Sequence, residues 1–313
     1  MHVSPLSLNM IPALNAFYNA LVAAIPHCYP VSPDLFAATL TPCLDGTSSH
    51  KNLRDEAMFV ATEGRAIVGM IHTGIDTGQR PHGPSDEWVG CGAVRCFGYA
   101  RGHRAAGQAL LQRAENRLRS QGATRVVVGH YDHRYPFYHV EHMFVSIQLE
   151  PVWSLLGMNG YAHIEHGSQI VLDWTDFDPP GPASLPIEAD IALEWIEEGA
   201  ARPGLIVHAT KGDREIGVCV CHSHGVGNPA PEAQDWVYTQ WLGIEPEFRG
   251  AGLGRYLLQR ALHEAHGIGY RHATICSMGN NYRALLFYSN FGYRAVDWSY
   301  AWEKALDDHP EEA

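Results

Sequence analysis

Positive charge is scarce in this chain. Its 313 residues hold 22 Lys and Arg against 34 Asp and Glu, a formal net charge of −12. A general nucleic-acid binder needs a basic face to neutralise phosphates, so that class is excluded. Long apolar runs are missing too: none approaches the ~20 residues that cross a bilayer as a helix, and no membrane partner is expected. The opening stretch MHVSPLSLNMIPALNAFYNALVAAIPHCYP has no basic segment ahead of its apolar part and is broken by Asn and Pro. It reads as a first strand and helix rather than an export signal. A disulfide framework is also lacking. The seven cysteines (28, 43, 91, 96, 219, 221, 276) are odd in number and irregularly spaced, which points to the cytoplasm.

What is present is a soluble globular mixture, 46% hydrophobic and 18% charged, of a length natural for two domains. Charge is unevenly spread. Residues 1–175 carry 12 Lys+Arg and 14 Asp+Glu, a balance of −2, whereas residues 176–313 carry 10 and 20, a balance of −10. Such a field favours a cationic substrate for the second half.

The two halves echo each other. Residues 110–114 and 257–261 are both LLQRA, each with a glycine three residues ahead, Gly107 and Gly254. Each lies the same distance before a short strand-like run, TRVVVGH from Thr124 and RHATICS from Arg271, and each half later reaches a Gly-Tyr pair at 160–161 or 292–293. Matched flanks make duplication the better reading. Two apolar runs around a polar turn recur as well, EAMFVATEGRAIVGMIHTG and GLIVHATKGDREIGVCVCHS, hence a β-hairpin in each half. A further strand follows (Trp88–Phe97 and Trp236–Ile244), then an amphipathic helix and the parallel strand it leads to. The fold class is α+β (mixed α/β): domains over 1–175 and 187–313, each a mixed, mostly antiparallel sheet flanked by helices. The proline-rich stretch 176–186 is the linker.

The second helix is preceded by EPEFRGAGLGRYLL, with glycines at 250, 252 and 254. A strand-to-helix loop of this kind offers unpaired backbone N–H groups and the positive end of the helix dipole. Arg249 adds a full charge, making a cradle for phosphate oxygens. It is not a Walker A loop, since no Gly-Lys-Ser/Thr follows, and its G-x-G-x-G spacing is not the dinucleotide fingerprint.

These residues resemble the pyrophosphate loop of the GNAT superfamily of acyl-CoA-dependent acetyltransferases, of the form [Q/R]-x-x-G-x-[G/A], met by Arg249, Gly252 and Gly254. The family's downstream pattern N-x-x-A-x-x-x-Y-x-x-x-G-[F/Y] is met by Asn281, Ala284, Tyr288, Gly292 and Tyr293. The resemblance covers about residues 204–302 and, with the repeat, implies a tandem two-domain member. It implies a sheet that splits between its fourth and fifth strands, with the pantetheine arm of acetyl-CoA in the cleft. It places the diphosphate on Arg249, Gly250, Ala251, Gly252, Leu253, Gly254 and Arg255, and pantetheine on the backbone of Leu242 to Ile244. Asn281 holds the coenzyme's polar arm or caps the last helix. Tyr288 is the implied general acid, a phenol of pKa about 10 handing its proton to a thiolate of pKa about 8.5. Where relatives place a base this chain has Cys276, read as a small buried hydrophobe, and Tyr238 and Gln240, neither an ordinary base; the base stays unassigned, with a water relay, His222 or His224 left open.

The first half departs from this pattern. Aligned on LLQRA, Gly102 stands for Arg249 and Ala105 for Gly252; counted from the Gly-Tyr pairs, Leu156 stands for Tyr288 and Leu149 for Asn281. A shifted match, Arg104-x-x-Gly107-x-Ala109, places the helix out of register. This half is therefore expected to fold like its twin without acetylating. It also carries an insert with His133, His139 and His142, just after His130. The spacing of these histidines, like that of Cys219, Cys221, His222 and His224, matches no firm zinc site, and no metal is expected. His139 and His142 are spaced to share a helix face.

The preferred reading is transfer of acetyl from acetyl-CoA to a small cationic amine or a peptide N-terminus. The alternatives are a non-catalytic acyl-CoA-binding or sensing protein and a metal-binding interaction protein. Oligomeric state stays open between a monomer with pseudo-twofold tandem domains and a homodimer.

Overall fold

The computed structural model describes residues 1–45, 52–80, 87–182 and 184–306. The chain forms two compact units that do not follow chain order. Among the described residues, unit 1 takes Met1–Gln169, Met278–Asn280 and the chain from Asp297 to Leu306; unit 2 takes Ile170–Ser277 and Asn281–Val296. The halves expected over 1–175 and 187–313 thus trade the ends of their last strands.

Up to the crossing point the elements are β1 (His2–Pro5), α1 (Ile11–Val22), α2 (Pro33–Leu44), β2 (Leu53–Glu63), β3 (Ala66–Asp76), β4 (Gly92–Tyr99), α3 (Arg104–Ser120), β5 (Arg125–Val128), β6 (Val145–Ser146), α4 (Glu150–Met158) and β7 (Ala162–Trp174). There follow β8 (Asp190–Ile196), β9 (Gly204–Lys211), β10 (Arg214–Ser223), β11 (Trp236–Ile244), α5 (Leu253–Gly267), β12 (His272–Met278), α6 (Tyr282–Ser289) and β13 (Arg294–Ala305). In unit 1 the strand order is β1-β2-β3-β4-β5-β13; in unit 2 it is β7-β12-β11-β10-β9-β8.

The plan repeats. The β2–β3 and β9–β10 hairpins each turn on a glycine at φ +59°, Gly64 and Gly212, where an L side chain would be strained. The next pairing in each sheet carries a bulge: His72 faces Cys96 while Thr73 faces Val94, and Val220 faces Trp241 while Cys221 faces Thr239. One extra residue, Arg95 or Gln240, is thereby swung out of register. The parallel pairing that follows is brief, from Gly92↔Val126 to Val94↔Val128 in unit 1 and from Trp236↔His272 to Thr239↔Ile275 in unit 2. Trp88, expected to open β4, instead lies in a turn closed by Cys91 N–H on its carbonyl at 2.9 Å.

Each sheet is covered by its crossover helix. α5 buries Leu253, Leu257, Leu258, Ala261, Leu262 and Ala265 against Leu205, Val207, Cys219, Cys221 and Val237, with each leucine worth about 1.5–3 kcal/mol of apolar burial. α3 places Ala106, Leu110, Leu111, Ala114 and Leu118 likewise.

The His-rich insert of unit 1 folds inward. Tyr135, Phe137, Val140, Met143 and Phe144 are buried. His139 and His142 do not share a helix; both sit in turns with left-handed backbone, φ +55° and +69°. His133 Nε2 meets Asp76 Oδ2 at 2.5 Å, and Arg80 bridges Asp76 (2.9 Å) and Asp132 (2.7 Å). Deeper in, His72 lies between Tyr135 OH (2.9 Å) and Glu56 Oε2 (3.0 Å). Burial pushes the Asp76 carboxyl up, but hydrogen bonds from His133 and Arg80 outweigh it and hold the group at about 2.

Burial, helped by the His133 and Arg80 charges, pushes the His130 imidazole down to about 3, and burial lowers His72 as well. A histidine in the unfolded chain protonates near pH 6.5. Below that pH the unfolded state binds a proton that folded unit 1 refuses. The stability from neutral His130 is therefore complete above pH ~6.5 and drains as pH falls toward 3, by about 1.4 kcal/mol per unit. Urea unfolding at pH 7 and pH 5 should show a loss that is about 2 kcal/mol smaller in His130→Gln than in the parent. Equal losses in the two proteins would contradict the buried, neutral state.

Candidate active site in unit 2

The end of β11 presents a row of unpaired main-chain groups. Glu245 N–H donates to Ile216 O at 3.0 Å, and β10 faces β11 as Gly217↔Ile244, Val218↔Gly243 and Cys219↔Leu242. Hydrogen-bonded pairs alternate along an antiparallel ladder, so Leu242 and Ile244 turn their N–H groups away from β10. On that edge the pairing with β12 has already stopped at Thr239. The Ile244 carbonyl accepts from Arg249 Nε at 2.9 Å, folding the arginine back against the strand it follows.

Beyond β11 the chain turns through Gly250 (φ +84°) and Gly252 (φ +92°), with exposed Ala251 between them. Gly252 is the N-cap of α5 and provides no side-chain cap; the first turn contains no acidic residue. The N–H groups of the first turn, from Leu253 through Gly254 to Arg255, are thus left to an outside acceptor. The Arg255 guanidinium stacks over the Phe291 ring at 5.1 Å. The nearby Glu245 and Glu247 are both held by Arg214, at 3.0 and 2.5 Å, and among the described residues Arg249 has no carboxylate partner.

The three glycines serve different ends. Gly250 and Gly252 supply left-handed backbone; a Cβ at Gly250 would meet nothing within 4 Å. Gly254, by contrast, has an ordinary φ. A Cβ there would make only normal contact with Ile244, at 3.4 Å. Neither the fold nor a protein neighbour requires glycine at 254.

Tyr288, on α6, is buried among Phe287, Tyr293 and the α5 face of the sheet. Burial pushes its phenol above the usual tyrosine range, with the thiols of Cys219, Cys276 and Cys221 adding to the effect. No hydrogen bond to its hydroxyl occurs among the described residues, uncommon for a buried tyrosine. Asn281 is the N-cap of α6: its Oδ1 accepts from Ala284 N–H at 3.2 Å.

The residues weighed as bases collect on the other sheet face. Tyr238 lies opposite His222 across β10–β11, and its hydroxyl is 3.0 Å from Cys276 Sγ, one residue past the last β11–β12 pair. Cys276 is therefore not a fully buried hydrophobe but a half-buried thiol at the gap. His222 contacts Glu198 through Nδ1 and Gln240 Oε1 through Nε2 at 3.0 Å. The Glu198 contact escapes sequence reasoning because it joins residues 24 apart across no motif. The metal groupings disperse. Cys219 and Cys221 turn into the core, His224 packs on the Tyr238 ring, and His133 and His139 go to separate carboxylates, Asp76 and Asp297.

In unit 1 the space between the end of β4, the start of α3 and α4 is a cavity of about 240 Å³, lined by Tyr99, Arg101, Gly102, Arg104, Ser154 and Met158. Leu149 and Leu156 are buried in the core of that unit. Gly107 is required by packing: a Cβ there would lie 2.4 Å from the Tyr99 ring. Where β4 and β5 part, Tyr135 and Tyr138 leave a cavity of about 30 Å³, bordered also by Arg95, Cys96 and Val128, room for only ~two waters.

Residues 169–293 match the model of the acetyltransferase (GNAT) family. This segment is a GNAT-family domain. Over 99 residues the chain is 35% identical to the mycothiol acetyltransferase of Geodermatophilus obscurus, a stretch covering 31% of this chain and 31% of that protein. The chain thus matches about a third of that relative's length. Among solved structures, a tandem GNAT protein from the clavulanic acid biosynthesis pathway aligns with 99% of both chains at a TM-score of 0.67 and 14% identity. A GCN5-related N-acetyltransferase from Sphaerobacter thermophilus aligns at 0.58 and 14% identity, covering 99% of this chain and 96% of its own. These likenesses establish the fold as that of tandem GNAT proteins.

The loop geometry separates two substitutions. Gly252→Ala forces an L residue into left-handed backbone, at a cost of about 1–2 kcal/mol, and should lower the melting temperature. Gly254→Ala should leave it unchanged or raise it, yet weaken coenzyme A binding at least tenfold by calorimetry. Unaltered binding in Gly254→Ala would remove the loop as the diphosphate cradle.

Proposed function

We propose that unit 2 transfers an acetyl group from acetyl-CoA directly to a primary amine, with Tyr288 as the general acid. The observation that carries this reading is a buried phenol whose hydroxyl has no hydrogen-bond partner among the described residues, inside a domain of the acetyltransferase (GNAT) family. A pKa raised by burial keeps that phenol protonated throughout the working range.

On this reading the diphosphate lies on the amides of residues 250–255 with Arg249 beside it, and Asn281 meets the coenzyme's polar arm while capping α6. Pantetheine runs along the free edge of Leu242 and Ile244. An N–H on that edge polarises the thioester carbonyl, an oriented donor worth roughly 3 kcal/mol of barrier. The amine nitrogen attacks the carbonyl carbon, the C–S bond breaks, and the departing thiolate takes the Tyr288 proton. Unit 1 has Leu156 and Leu149 in place of the tyrosine and asparagine, and its gap is occupied by Tyr135 and Tyr138; it supports the fold without acetylating. The acceptor is a small cationic amine or a peptide N-terminus, favoured by the 20 acidic against 10 basic residues after position 175.

The second reading, an acyl-CoA sensor without turnover, separates at the same residue. Release of free thiol from acetyl-CoA should be seen with at least one member of a panel of polyamines, aminoglycosides and short peptides. Tyr288→Phe should then cut kcat a hundredfold or more with coenzyme affinity changed less than threefold. No thiol release with any acceptor, alongside tight coenzyme binding, would favour the sensor.

A further inference from the structure

The acyl transfer proposed for unit 2 needs a group that takes a proton from the acceptor ammonium, and neither Tyr288 nor the glycine loop provides one. We infer that His222 is that base, with Glu198 as the residue that positions it; the inference rests on the acetyltransferase reading above.

The placement carries the argument. Cys219, Cys221 and Val237 belong to the sheet face covered by α5, and the Cys219, Cys221 and Cys276 thiols act on the Tyr288 phenol. Strand alternation sends His222 and Tyr238, cross-strand partners, to the opposite face. Tyr238 reaches Cys276 at 3.0 Å, at the point where β11 and β12 cease to pair. A thioester in that gap would have the acid on one face of the sheet and the imidazole on the other, one strand away.

The surroundings of His222 suit a group that gains a proton. Its Nδ1 is held by the Glu198 carboxylate, and its Nε2 faces Gln240 Oε1 at 3.0 Å. A carboxylate on one nitrogen and an amide oxygen on the other stabilise the imidazolium. The neutral Nε2 has a single lone pair, so the Gln240 amide must move aside for that nitrogen to take a proton. Gln240 is also the bulged residue of β11, at the edge of the gap. Glu198 is accommodated by a missing side chain: a Cβ at Gly204 would stand 2.7 Å from Glu198 Oε2. The remaining titratable groups near the ring are Tyr238 on β11, His224 at the end of β10 and Cys276 on β12; Arg202, paired with Asp235 at 3.1 Å, belongs to the loop before β9.

In the step itself, His222 Nε2 accepts a proton from the acceptor ammonium, directly or through one water. The amine lone pair forms the C–N bond, the C–S electrons leave on sulfur, and Tyr288 protonates the thiolate. The imidazolium returns its proton to solvent, and Tyr288 is reprotonated in turn.

Two measurements test this. With spermidine, an aminoglycoside and an alanyl-tripeptide as acceptors, the ratio of His222→Gln to parent kcat should be 10⁻² or less, with KM for acetyl-CoA within twofold. The ionisation seen in the parent pH profile of kcat should be absent in His222→Gln. A His222→Gln enzyme with parental kcat and profile, while Tyr288→Phe is impaired, overturns the base and leaves the acetyltransferase reading standing. No transfer by the parent to any acceptor overturns both. Independently of turnover, the ¹⁵N spectrum of the imidazole in the full chain should show the Nδ1–H tautomer when neutral, lost in Glu198→Gln. An Nε2–H tautomer in the parent overturns the assignment.

Discussion

Two parallel strands, β11 and β12, stop pairing after Thr239 and Ile275, and the chemistry proposed for unit 2 depends on that interruption. A sheet that stayed zipped would satisfy the N–H groups of Leu242 and Ile244 with the carbonyls of β12. Because it opens, an edge of backbone donors is left half-buried at Leu242 and Ile244, without a strand to receive them. The bulge at Gln240 adds to the divergence by increasing local twist. Arg249 then returns to the same strand through the Ile244 carbonyl, tying the anion-facing end of the loop to the donor row.

Unit 1 inherits the same opening and closes it. Its bulge at Arg95 is retained, and its β4–β5 pairing is equally brief. In place of a ligand it has Tyr135 and Tyr138 from the insert, and Tyr99 lying on Gly107. The polar side chains drawn inward are answered by fixed partners: Glu56, His72 and Arg95 in one group, Asp76, His133 and Arg80 in another. Buried charges of this kind persist only when paired. Unit 1 thus covers the end of its parallel pairing with Tyr135 and Tyr138, leaving about 30 Å³ there.

Much of this was legible in the residues. The repeat and both hairpins follow from periodicity and turn chemistry; the proline-rich stretch 176–186, expected as a linker, instead lies within unit 2, where Phe177 joins the core and Leu185 packs against it. Asn281 as a helix cap was read from residue type and motif position, and Tyr288 was recognised through the family pattern. Other features were hidden for physical reasons. A bulge leaves no mark on alternation when the extra residue is polar, so Gln240 and Arg95 read as ordinary strand positions. The Glu198–His222 contact depends on how the segment after β8 returns to the sheet, a tertiary fact. The insert histidines suggested a helix by spacing alone, whereas burial of the intervening aromatics drew them into left-handed turns. Equal glycines had unequal reasons: 250 and 252 for backbone angle, 107 for packing, 254 for neither.

The trade of strand ends between the units has a bearing on biosynthesis. Asp297–Ala305 pairs with β5 and β6 of unit 1, so the first half emerging from the ribosome lacks a strand encoded by the last. Until translation reaches that segment, β5 keeps an unguarded edge and the nascent chain is open to pairing with other polypeptides. The sheet of unit 1 is therefore complete only once residues 299–305 have been made.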